Sequence, residues 1–117
     1  MNQKLGEAEK LIKRLENDLP LIATTGRIII GTNYVIWALK NEPEKVKAVI
    51  VAKNIPNQYF EKVAKVALSA KVPLIKVNKN SKELGELCKR PHSILTLGIY
   101  DFGLSNLESA IKGSEIV

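Results

Sequence analysis

Two rhythms of apolar residues alternate along this chain: helical spacing, and short unbroken runs. Leu5, Ala8, Ile12, Leu15 and Leu19 recur every three or four positions, which predicts one apolar stripe on an amphipathic helix stopped by Pro20. Residues 27–31, Arg-Ile-Ile-Ile-Gly, are β-branched and closed by glycine, the pattern of a buried strand. Thr32 and Asn33 stand where side-chain caps would open a second helix, carried by Val35, Ile36, Ala38 and Leu39 and stopped near Pro43. The pattern then repeats. A buried strand over 46–52 leads into a helix opened by Asn54 and Pro56, with the proline in its first turn and its end near Ala70. Val72 to Val77 predicts a third strand. Asn80 and Glu83 fit a capping box for a short helix over Leu84 and Leu87. Ser93 to Tyr100 predicts a fourth strand, and Leu104 to Ile111 a last short helix.

Helices alternating with wholly apolar strands predict an α/β protein, a three-layer α/β/α sandwich with helices on both faces of a four-stranded sheet. At 117 residues the chain is read as one domain, 1–117. Within it, 1–19 is the N-terminal amphipathic helix, 20–105 the core, and 106–117 a C-terminal helix and tail. No apolar run approaches the roughly 18 residues of a membrane span, and the acid-bearing N-terminus is unlike a signal peptide. The expectation is a soluble, cytoplasmic domain.

Charge adds a direction. Of 18 basic and 12 acidic side chains, residues 1–26 hold four of each, whereas 27–92 hold thirteen basic and five acidic. Arg27, Lys53, Lys76, Lys79, Lys82, Lys89 and Arg90 flank the predicted strands and helix starts, so they can gather on one rim that a polyanion could use. Lysine enrichment for solubility is the competing account.

Catalytic signatures are missing. There is no Walker loop, no G-x-G-x-x-G after the first strand and no G-x-S-x-G elbow. A phosphate-accepting receiver domain would need acids at strand ends that here read Gly31, Lys53–Asn54 and Asn78. Cys88 and His92 are too small a set for zinc, and a lone cysteine makes no internal disulfide. Cys88 is expected to end a helix as a half-buried apolar residue. No catalytic residue, metal or cofactor is predicted.

Donor groups are present instead. Gly31, Thr32 and Asn33 lie where a strand turns into a helix, whose first N–H groups suit a phosphate or a base edge. Lys53 and Asn54 follow the second strand; Arg90, Pro91 and His92 precede the fourth. These loops share an edge only if the fourth strand runs antiparallel to the first two. Converged, they would form an RNA site, with His92 offering a ring to stack on an unpaired base.

Gly31-Thr32-Asn33 after a β-branched strand resembles the signature of the kink-turn RNA-binding superfamily. Val49–Asn54 (VIVAKN), Glu83–Leu87 (ELGEL) and Arg90–Ser93 (RPHS) are most similar to its ribosomal L thirty-e family, over about residues 20–105. The resemblance implies a mixed four-stranded sheet and a non-enzymatic constituent of the large ribosomal subunit. It implies large-subunit rRNA as the partner, bound at a kink-turn or similar internal loop, with neighbouring ribosomal proteins and no membrane or small-molecule substrate. By position it implies RNA contacts from Gly31, Thr32, Asn33 and Tyr34, and from Arg90, Pro91 and His92. Lys53 and Asn54 would lie beside them, and Arg27 would meet a phosphate. Trp37 departs from the family, where many relatives carry Lys or Gln. The N-terminal helix reads longer than usual and could dock on a neighbouring protein. Two other readings stay open: a non-ribosomal kink-turn binder of guide, RNase P-type or regulatory RNA, and a protein-docking α/β module without RNA.

Overall fold

The computed structural model describes residues 3–107, with side chains from residue 9 onward. Helices α1 (Gln3–Thr25), α2 (Thr32–Asn41), α3 (Asn57–Ala70) and α4 (Ser81–Leu87) alternate with strands β1 (Arg27–Ile30), β2 (Ala48–Val51), β3 (Leu74–Lys76) and β4 (Thr96–Asp101). Of the predicted helix over 104–111, residues 104–106 are turn and loop, Leu107 is helical, and 108–111 lie outside the described residues.

The sheet order is β1-β4-β2-β3. Strand β4 pairs antiparallel with both β1 and β2, and β3 runs parallel to β2. The sheet is therefore mixed, and helices cover both faces. Alternate residues of β2 divide between the two cores. Ala48 and Ile50 face Leu11, Leu15, Leu19 and Ile22 of α1 and Leu84 of α4. Val49 and Val51 face Val35, Ala38 and Leu39 of α2 and Val63 and Ala67 of α3. Central position explains why all four β2 residues are buried.

Four local expectations are corrected. Helix α1 does not stop at Pro20 but continues to Thr25. Pro20 lacks the N–H that would bond the carbonyl of Glu16, a cost of roughly 3 kcal/mol in a helix interior. Carrying the stripe one step further buries Ile22 completely, which recovers a comparable amount. The Thr24 and Thr25 hydroxyls also donate back to the carbonyls of Pro20 (2.6 Å) and Leu21 (2.8 Å). Strand β1 is an edge strand and only half-buried, not a buried one. Helix α3 starts at Asn57 with Pro56 as its N-cap, one position outside the first turn. Strand β4 begins at Thr96, which leaves residues 93–95 as loop.

Helices α3 and α4 end alike. Lys71 and Lys89 take left-handed backbone angles (φ 59° and 58°) where glycine would be free of strain. At α3 the turn closes through Val72 N–H to Ala67 O (2.9 Å) and Lys71 N–H to Leu68 O (3.1 Å). Lys71→Gly is expected to raise stability by about 1 kcal/mol, read as a higher denaturation midpoint, because the Cβ is what makes this conformation costly.

Candidate nucleic-acid interface

Because β4 opposes β1 and β2, the ends of β1, β2 and β3 and the start of β4 lie along one edge of the sheet. Hydrogen bonds join the four loops there. Gly31 N–H donates to Thr96 O (3.0 Å), Ala52 N–H to Leu95 O (2.9 Å), and Lys53 N–H to Lys79 O (2.9 Å). Ile94 N–H donates to Ser81 O (3.0 Å). The loops form one continuous rim around a shallow groove of about 520 Å³. Gly31, Thr32, Asn54, Ser81 and Ser93 supply its polar lining, and Ile94 and Leu95 its apolar part.

Gly31 is the N-cap of α2, and it makes no side-chain cap bond. This corrects the expectation of Thr32 or Asn33 as cap. Its φ of 116° is open only to glycine in practice. A Cβ there would meet nothing closer than the Tyr34 Cβ at 3.9 Å, so the backbone angle, not crowding, selects glycine. As at any helix start, the first N–H groups of α2, at Thr32, Asn33 and Tyr34, have no partner within the helix. The Thr32 hydroxyl is paired with that of buried Thr96 at 3.0 Å. Asn33 and Tyr34 are exposed.

Asn54 is held on both amide atoms: Oδ1 accepts Ser81 N–H (2.8 Å) and Nδ2 donates to Ser81 Oγ (3.2 Å). It positions the start of α4. There the predicted capping box is present, with Asn80 Oδ1 accepting from Glu83 N–H and Glu83 Oε1 from Asn80 N–H. On the other side, Glu16 of α1 accepts Asn78 N–H at 2.8 Å, so the long N-terminal helix also braces this edge.

The returning loop is shaped by α4. After Lys89, Arg90 N–H bonds Gly85 O (2.9 Å), which sets Pro91, His92 and Ser93 out toward solvent. The His92 ring lies 3.1 Å from Ser93 O through Nδ1. A carbonyl only accepts, so Nδ1 is the donor and Nε2 points elsewhere. Cys88 is fully buried beneath this loop, not half-buried as expected. Burial pushes its thiol up to about 11, against a smaller opposing pull from Arg90. A thiol held neutral at physiological pH is a poor nucleophile.

Of the candidate residues, Gly31, Thr32 and Asn54 line the groove itself. Asn33 and Tyr34 follow on α2, Lys53 precedes Asn54, and Arg90, Pro91 and His92 lie on the loop that leads to the groove's Ser93. Arg27 stands apart. It pairs with Asp101 at the far end of β1, about 13 Å from Gly31 along the strand. Ser81 lines the groove without having been singled out, and Ser93 had entered only as the end of the Arg90–Ser93 motif. The Asn80–Glu83 box was the legible signal for Ser81, since it fixes where α4 begins. Among the described residues no cluster of His, Cys, Asp and Glu could hold a metal ion, and no helix is long and apolar enough to cross a membrane.

A covered mixed sheet with one polar, donor-rich edge is the build of an α/β binding domain. The chain belongs to the Ribosomal protein L7Ae/L30e/S12e/Gadd45 family, whose profile matches residues 13–108. It is 32% identical over 101 residues to the large ribosomal subunit protein eL30 of Methanopyrus kandleri, covering 86% of this chain and 91% of that one. The eL30 of Methanosarcina mazei is 31% identical, with 94% of this chain and 93% of the relative covered. A solved structure of a protein with unknown function from Bacillus halodurans shares the fold, with a TM-score of 0.69 at 24% identity over 85% of this chain and 96% of that one.

Proposed function

We propose that this protein is a non-enzymatic constituent of the large ribosomal subunit in the cytoplasm, binding a kink-turn-type internal loop of large-subunit rRNA. The observation that carries this reading is the convergence of the Gly31–Asn33, Lys53–Asn54 and Arg90–Ser93 loops on one sheet edge, in relatives' company named as large-subunit proteins. The N–H groups opening α2 and the Asn33 amide suit base edges and phosphates; Lys53, Lys89 and Arg90 suit the surrounding backbone. The outer face of α1, whose other side fills the core, is assigned to a neighbouring ribosomal protein.

Ultraviolet crosslinking in native lysate, followed by sequencing of the attached RNA, tests the role. Reads concentrated in one large-subunit internal loop with tandem G·A pairs support it; reads in guide or messenger RNA, or none above background, overturn it. Asn33→Ala tests the site. With no cap bond to lose, the variant should keep its stability within about 0.5 kcal/mol. Its RNA affinity should fall by about 1–3 kcal/mol, measured by titration against the same loop.

A further inference from the structure

Trp37 is the chain's single tryptophan, and it stands half exposed on α2. Tyr34, one turn earlier, is 62% exposed. The same helix buries Val35, Ala38 and Leu39 against the sheet, so both rings stand on its outer side. They hold a defined arrangement, with centroids 6.2 Å apart and planes at 74°. Edge-to-face contact keeps each ring in place and leaves an open corner between them. Asn33 closes that corner into a recess of about 360 Å³. Asn33 is also the first exposed residue after Gly31 and Thr32, so the recess continues the rim.

We propose that Tyr34 and Trp37 form a stacking platform for one unpaired base of the bound RNA, beside the bases that Asn33 reaches. This deepens the proposed function and rests on it. Two observations select a base over a protein segment as the occupant. The recess is continuous with a rim of backbone and amide donors. An exposed cation, Lys40, follows Trp37 by one turn on the same helix, where it can meet the phosphate next to the stacked base. Every base offers a π face, so the platform adds affinity while tolerating sequence changes at that nucleotide.

The lone tryptophan is its own reporter. The full chain is titrated with an RNA duplex carrying tandem G·A pairs and an adjacent unpaired bulge, following tryptophan emission and, separately, gel-shift affinity. Emission should be quenched with the same saturation point as binding. Trp37→Ala should weaken binding about tenfold, whereas Trp37→Phe, which keeps a ring, should retain most of the affinity. The phenylalanine variant also guards against an alanine variant that fails to fold. Binding with unchanged emission, or with wild-type affinity in Trp37→Ala, overturns the platform while the RNA reading stands. Failure of the wild-type chain to bind any RNA overturns both.

Discussion

Raising salt from about 50 to about 200 mM is expected to weaken the chain's binding to a kink-turn RNA by roughly 100- to 500-fold. Five cations stand on the loops and helix starts of the rim: Lys53, Lys79, Lys82, Lys89 and Arg90. Each neutralised phosphate adds roughly 0.7–0.9 to the log–log salt slope, so five contacts give a slope near −4 and the stated loss over a fourfold change in salt. Glu83 and Glu16 accept backbone N–H groups of this rim, in the capping box and at Asn78, so the five cations outnumber these two acids. Substituting Lys53 or Lys89 by alanine should lower the slope by roughly 0.8 each. Lys62→Ala, on the exposed side of α3, should leave it unchanged. A nearly flat salt response in the wild-type chain would remove phosphate contacts from the rim and leave protein docking as its use.

The order of elements was legible because each depends on local pattern. The apolar runs that became β2 and β3 and the Asn80–Glu83 box that opened α4 need no knowledge of the fold. The direction of β4 was not legible. It decides whether the Arg90–His92 loop meets the Gly31 and Lys53 loops, and strand direction is set by pairing partners distant in sequence. Pro20 shows the same limit in a helix: propensity marks a stop, but the buried pocket that Ile22 fills lies elsewhere in the chain. Arg27 was grouped with the rim by pooling basic residues near strands, although it opens β1 while Gly31 follows the strand's other end. For Asn54, the residue type suggested a ligand donor, while its partner Ser81 lies 27 positions away and engages both amide atoms. The exposure of Trp37 was equally hidden, since helical spacing alone would allow it to pack or to stand clear.

Gly85→Ala sets two opposed effects against each other, and the structure decides the sign. Gly85 lies inside α4, where alanine is the better helix former by roughly 1 kcal/mol. Propensity alone therefore expects a stabilised protein. Yet Gly85 is buried against the returning loop, and a Cβ there would run into the backbone carbonyl oxygen of His92, with the carbonyl carbon at 3.1 Å and Ser93 Cα at 3.4 Å. A flexible side chain could step aside, but this backbone is fixed on both sides. Arg90 N–H is bonded to Gly85 O itself, and Ile94 N–H to Ser81 O. Making room means breaking one of these bonds or displacing α4 from Leu84's fully buried position. The expected net result is a loss of about 2–3 kcal/mol in chemical denaturation, the range of an overpacked core. RNA affinity should fall with it, because the displaced segment carries Arg90, Pro91 and His92. A variant stabilised by about 1 kcal/mol would mean that the loop yields freely. The close approach of helix and loop would then have no part in holding His92 at the rim. The expected loss would identify this glycine as the residue that lets α4 and the His92 loop meet, so that a local weakness in the helix is what shapes the site.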